Sequence, residues 1–405
     1  MIKLICLIEG GNMRNVGTVV RGIRTPIIKD DTNLEDVVIE SLMKAKESEG
    51  FEFRDRDIIA ITEAVVGISE GNYVSVDDVG SCVETLFPSK NVGLVFPILS
   101  RNRFSLILKG IARGVDKITM LLSFPKDEVG NGIMDEDTLE NSPFNLNSVI
   151  SEKEYNEYFS SYVHPFTGIN MVNFYRDLVH GENCEIEFVF SNNAKDILKY
   201  TKDVINCDIH TRYKTKDALK AAGANVHGLF EILNKPINDS GFNPEYGLLG
   251  SNKSTEERLK LFPKDGQILV DNIQKRMYEL TGKNIEVMVY GDGAFKDPVG
   301  GIWELADPVV SPAHTKGLDG TPNEIKLKYI SDNVYGNLRG EELNEAIRKE
   351  IRAKNNNLKG NMASQGTTPR RLVDLIGSLC DLTSGSGDKG TPVVYIQGYF
   401  DNYAD

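Results

Sequence analysis

The sequence has no CxxC pair, and its five cysteines (Cys6, Cys82, Cys184, Cys207 and Cys380) stand far apart. An odd, scattered set argues against a zinc knuckle or a disulfide framework and fits a reducing, cytoplasmic setting. No run approaches the roughly 18 apolar residues of a membrane helix. The opening MIKLICLIEGG is only briefly apolar and lacks the small-residue cleavage site of a signal peptide. Positive charge is also short: 46 Lys and Arg against 59 Asp and Glu leave a net charge of −13. Nucleic-acid binders need a basic stripe to displace counterions, so that class is disfavoured. Anionic small substrates stay open, because a metal ion or a local cluster of Lys and Arg reverses the field inside one cleft.

Familiar catalytic signatures are missing as well. The five histidines form neither HxH nor HExxH, and there is no GxSxG elbow, which lowers the expectation of a hydrolase. No GxGxxG follows a strand. Gly247–Ser254 (GLLGSNKS) has the wrong order for a phosphate-binding Walker loop. His164 (VHPFTG) and His314 (SPAHTKG) lie in loop-like contexts and are retained as candidates beside ordinary structural roles.

What is present is an ordinary globular balance, with 40% hydrophobic and 26% charged residues over a length of 405, enough for two or three domains. A strand and a Gly10-Gly11 turn open the chain, followed by a short strand near 17–20. Helical spacing runs from Leu34 to Glu49, with Asp31 or Thr32 as the expected cap. Asp57–Val66 reads as a buried strand, so the class is α/β (or α+β), with mixed sheets covered by helices. The pattern repeats over 92–125, where Val92–Pro97 and Lys117–Phe124 read as strands around a helix at Arg103–Arg113. Residues 126–160 read as an exposed loop. A helix at 166–180 and a β–α–β unit over 185–209 follow. Helical spacing covers Glu256–Leu280, broken at Pro263. A strand runs from Ile285 to Tyr290, a charged helix spans 340–358, an amphipathic helix covers 368–382, and a closing strand occupies 392–396. The expected organisation is an N-terminal part at 1–91, an inserted α/β subdomain at 92–230, and a C-terminal part at 231–405.

Two local patterns point to anion or cation chemistry. Leu382–Ile396 (LTSGSGDKGTPVVYI) is a Gly-rich turn between helix and strand. Its amides and Lys389 suit an anion, and a plain flexible connection is the other reading. Asp292 follows an apolar strand between two glycines, at the strand end where α/β proteins place ligand contacts. Its oxygens suit Mg²⁺ or Mn²⁺, and an Asp-Gly turn is the alternative. Asp297, Glu304 and Asp307 follow in the same segment, either completing a cation site or serving as caps and solvated carboxylates.

Four segments, in order, resemble the coenzyme F-420 (deazaflavin) gamma-glutamyl ligase family. They are GIRTPIIKDDTNL (Gly22–Leu34), DIIAITEAVVGISEG (Asp57–Gly71), the long stretch Gly247–Phe295 that includes GLLGSNKS and VMVYGDGAF, and RLVDLIGSLCDLTSGSGDKGTPVVYI (Arg371–Ile396). The resemblance implies a gamma-glutamyl-ligase-like fold carrying an insertion. It also implies a homodimer and a GTP- or ATP-dependent ligase that adds L-glutamate or a related amino acid to an acceptor carboxylate through an acyl phosphate, with Mg²⁺ or Mn²⁺. Small molecules are the expected partners, with no nucleic acid or membrane. Carried over by position, Ile23, Arg24, Thr25 and Pro26 match the first nucleotide loop, Thr62 and Glu63 the second, and Asn252 a central contact. Ser384, Gly385, Ser386, Gly387, Asp388, Lys389, Gly390 and Thr391 match the last. Asp292 matches a metal-binding Asp. The other metal Asp falls on Leu249, the Thr beside the second metal Asp on Gly293, and two lysines of the second motif on Ala64 and Ile68. The metal site must therefore be rebuilt with a group such as Asp297, be reduced to one ion, or be lost. A non-catalytic nucleotide- or metabolite-binding protein on the same scaffold is the alternative.

Overall fold

Two short apolar runs, Ile58–Ile61 and Val287–Tyr290, become neighbouring parallel strands buried on both faces, which is why they carry no polar alternation. The computed structural model that contains them describes residues 15–165, 167–293, 306–367, 370–384 and 388–404. Cys6, the Gly10-Gly11 turn, Asp297, Glu304 and Gly385–Gly387 lie outside the described residues. In chain order the strands are β1 (Val19–Ile23), β2 (Ile58–Thr62), β3 (Tyr73–Ser75), β4 (Asn91–Val95), β5 (Lys117–Leu122), β6 (Ile150–Ser151), β7 (Glu185–Phe190), β8 (Asp203–Asn206), β9 (Asn225–Gly228), β10 (Asn252–Thr255), β11 (Arg258–Lys260), β12 (Glu286–Tyr290), β13 (Ala313–His314) and β14 (Val393–Gln397).

They form three sheets, ordered β1-β14-β2-β12-β13, β10-β11-β3 and β6-β7-β5-β4-β8-β9. The first sheet has mixed direction. β12 runs parallel to β2, β14 antiparallel to β2, and β1 antiparallel to β14. Both of its faces are covered. Ile59, Ile61, Val287 and Val289 point to a core shared with Val38 and Leu42 of helix α1 (Leu34–Glu49) and with Val270 and Ile273 of helix Gly266–Thr281. The alternate residues Ile58, Ala60, Met288 and Tyr290 pack on Val373, Ile376 and Cys380 of helix Leu372–Ser384. Among the described residues no helix is long and apolar enough to cross a membrane.

Helix α1 has the boundaries its spacing predicts, but its cap is Asn33 rather than Asp31 or Thr32. The Asn33 side chain accepts from the Asp36 amide, and Gly50, at φ 67°, ends the helix in a left-handed turn. Strand β2 is shorter than expected, because Glu63 opens helix α2 (Glu63–Ser69). Helical spacing from Glu256 to Pro263 is overturned: those residues make the turn and second strand of the β10–β11 hairpin, and that strand pairs with β3.

In the six-stranded sheet β4, β5, β7, β8 and β9 run parallel. Helices α3 (Val76–Leu86) and α4 (Phe104–Gly114) supply much of its core, which also takes in Val74 and reaches Leu261. The stretch 126–160, read as an exposed loop, instead carries short helices at Glu136–Glu140 and Glu152–Tyr158 and is pinned by buried apolar residues. Val129, Ile133, Met134 and Leu139 are buried, and Tyr155 stacks on Phe190 at 4.2 Å. Between Asn193 and Lys202 only a short 3-10 turn forms, at Ala194–Lys199.

Candidate active site

The strand directions of the first sheet put four distant segments at one edge. β2 and β12 end there, β1 also ends there, and β14 begins there, since Ile23 pairs with Val393 and Thr62 with Tyr290. Loop residues 24–26, 62–63, 291–293 and 388–392 are therefore neighbours by topology. The Thr25 amide donates to the Gly390 carbonyl at 3.1 Å, and the Thr62 amide donates to Pro392 O at 3.0 Å. The Thr391 hydroxyl donates to Ser384 O at 3.0 Å, which ties the helix end to the start of β14.

A cleft of about 360 Å³ opens at this edge, lined by Thr25, Thr62, Asp381, Ser384, Lys389 and Thr391. A second, of about 830 Å³, continues past Arg24 to the Ser41 and Ser48 face of α1. Arg24 and Lys389 are exposed here, and among the described residues neither has a carboxylate partner. Glu49 and Asp381 line the same clefts, so cations and carboxylates both face this edge. The buried Tyr290 hydroxyl lies beside the Thr62 and Ser384 side chains.

Beside this edge stands a charge cluster. Arg103, at the start of α4, donates one guanidinium nitrogen to Asp292 and another to Asp307, each at 2.6 Å. Asp307 is 1% exposed at its side chain. Burial opposes the charge on Arg103, yet Asp307, Asp292 and Glu63 outweigh it and hold the guanidinium above its ordinary value. The amides after β12 are also spoken for: Asp292 N donates to Asp307 and Gly293 N donates to Asp381. Glycine flanks Asp292 because the space is taken. A Cβ on Gly291 would stand 2.2 Å from the Asp307 carboxylate, and one on Gly293 2.8 Å from the Ser378 backbone. Glu63 accepts from Lys260 at 2.7 Å, both side chains being 6% exposed. Burial pushes the Glu63 carboxyl up; Lys260 draws it down, and Asp307 adds to the rise. Burial likewise raises Asp381, with Asp307 adding.

A hard divalent cation needs about six oxygen ligands. Among the described residues no group of three or more Asp, Glu, His or Cys is placed to hold an ion. Asp292 faces a guanidinium, and Leu249, where the family resemblance implies an Asp, is a buried apolar residue at 2% exposure. The described residues do not fit the implied cation pair, and Asp297 lies outside them.

Ile23, Arg24, Thr25, Pro26, Thr62, Ser384, Lys389, Gly390 and Thr391 thus line the two clefts of this edge, whereas Glu63 and Asp388 line neither, Glu63 being buried on Lys260. Asn252 is not among the cleft-lining residues; it sits across the hairpin from Lys260. His314 bonds Asp319 at the sheet margin, and His227 packs edge-on against Phe87. Sequence reasoning missed Arg103, Lys260 and Asp381. No local spacing signals them, because each acts through a partner more than 80 residues away.

A fold with strand-end loops around a cleft does not by itself define a reaction. The family model of F420-0:Gamma-glutamyl ligase matches residues 22–398, so the chain belongs to that family and is a ligase. A comparison with curated proteins finds no match.

Proposed function

We propose that the chain is a nucleoside-triphosphate-dependent amide ligase that adds L-glutamate, or a related amino acid, to the carboxylate of a coenzyme-like acceptor. The reading is carried by one observation: loops from residues 24–26, 62–63 and 388–392 meet at one sheet edge, with Arg24 and Lys389, which have no acidic partner among the described residues, on the cleft between them.

A carboxylate is a poor acylating agent because oxide is a poor leaving group. Attack of an acceptor carboxylate oxygen on the terminal phosphorus breaks the bond to the bridging oxygen and releases a nucleoside diphosphate. The amine of the amino acid then attacks the acyl phosphate; phosphate leaves, and the amine gives up a proton as the amide forms. The terminal phosphoryl group must be held in line and its charge neutralised. In this chain Arg24, Lys389 and the loop amides are the groups assigned to that task. No step is routed through a divalent cation, since the described donors make no cage for one. Water must be kept from the acyl phosphate, which suits a cleft between packed units. GTP or ATP both suit the assignment, and a homodimer is the expected assembly.

The test is to incubate the protein with GTP or ATP, glutamate and F-420-0 and to follow phosphate and amide product. Phosphate release that needs both acceptor and amino acid supports the ligase. Tight nucleotide binding without product would support the alternative, a binding protein on the same scaffold. The Arg103–Asp292 pair gives that second reading its one specific support, because it commits a carboxylate that the family resemblance assigns to metal.

A further inference from the structure

The six-stranded sheet is doubly wound. From β4 the chain moves to β5 and β7 on one side, then returns to β8 and β9 on the other. In such sheets ligands bind outside the carboxyl ends of the strands. The loops after β4 and β5 line a cleft of about 570 Å³ at that end, and Asp292 of the first sheet closes its inner side.

The walls of this cleft are fixed before any ligand arrives. Asp127 is buried, and its carboxylate accepts from the amides of Leu99 at 2.8 Å, Val129 at 3.1 Å and Asn131 at 2.8 Å, and from the Asn131 side chain at 3.0 Å. One buried charge thus locks both loops together, although burial pushes its carboxyl up. Tyr175 is wholly buried; its hydroxyl donates to Ile98 O at 2.8 Å and accepts from the Ser100 amide at 2.8 Å. The Lys253 amide donates to Asn102 O at 2.7 Å and holds the loop from the far side. Groups buried to hold loops in place are the support a binding site needs, and a surface connection does not need them.

The lining has two characters. Ile98, Leu99, Val129 and Met171 make an apolar wall. Arg101 is exposed on the same cleft and has no carboxylate partner among the described residues; His164 lies close enough to feel its charge. Arg103, two residues on, is already committed to Asp292 and Asp307. Among the described residues of this cleft, Arg101 is therefore the cation without an acidic partner.

We propose that this cleft is the acceptor site of the ligase and takes an acidic metabolite with an apolar body, its anionic group on Arg101 and its body along Leu99, Val129 and Met171. The assignment rests on the ligase reading above. It places the acceptor on the six-stranded unit and the triphosphate on the first sheet, with Asp292 and Arg103 between them.

The test is calorimetry of the full-length protein with F-420-0 in the absence of nucleotide, on the wild type, Arg101→Glu and Arg101→Lys. Arg101→Glu should weaken F-420-0 binding by about tenfold or more, and Arg101→Lys should stay within about threefold of wild type, as expected for an exposed charge-assisted contact. GTP affinity should be unchanged in both. Equal F-420-0 affinity in wild type and Arg101→Glu overturns the proposal, as does a wild type that does not bind F-420-0. Amide product from the wild type with an unaltered KM for F-420-0 in Arg101→Glu would refute this cleft and leave the ligase reading standing. Arg101-dependent binding without product would support the cleft and count against the ligase.

Discussion

Two arginines two residues apart meet opposite fates. Arg103, its side chain 12% exposed, is held between two carboxylates, while Arg101 is exposed on the cleft with no acidic partner among the described residues. A buried cation held by two acids fixes structure, because removing it strands charge away from water. An exposed cation on a cleft costs little to keep and is available to a ligand. Arg24 and Lys389 belong with Arg101, whereas Lys260, buried on Glu63, belongs with Arg103.

The largest effect that would sharpen this contrast is expected at Arg103. Arg103→Met leaves Asp307 buried without its counter-charge, and a loss of about 3–5 kcal/mol is expected in denaturant unfolding. Unfolding indistinguishable from wild type would break the contrast. Lys260→Met should come next, with a pH signature. Burial holds the folded-state pKa of Glu63 above its value in the unfolded chain despite Lys260. A raised carboxyl binds its proton more tightly when folded. Its stabilising contribution is therefore full below the ordinary carboxylate value and is lost as pH rises through the folded one. Removing Lys260 raises that pKa further, so the variant should lose more stability at pH 7 than at pH 5; a loss independent of pH would contradict the assignment. Smallest in stability are Arg24→Ala and Lys389→Ala. Each should leave unfolding unchanged while weakening GTP binding by about tenfold, the worth of one charge-assisted phosphate contact. Unaltered GTP affinity in both would remove the basis for the triphosphate cleft.

Legibility in the sequence followed the range of the interactions. β2 and β12 were readable because strands buried on both faces are continuous apolar runs. The limits of α1 were readable because Asn33 and Gly50 punctuate it locally, though the cap itself fell one residue beyond the expected pair. The β10–β11 hairpin was not, because its largely exposed first strand carries no apolar alternation and its second is held by pairing with β3. The stretch 126–160 misled because its buried residues fall at irregular intervals, with no period to detect. The loops of the first sheet were found through their likeness to a family. That they meet follows from strand direction, which no single segment reveals. Arg103 escaped notice because its carboxylates lie 189 and 204 positions along the chain.

The central claim is that the triphosphate sits where three remote loops meet at the edge of the first sheet. Amide hydrogen exchange with and without GTP tests it most directly. Joint protection of residues 24–26, 62–63 and 388–391, with residues 98–103 unchanged, is the predicted result. Protection confined to 98–103, or none at the first-sheet edge, would contradict it.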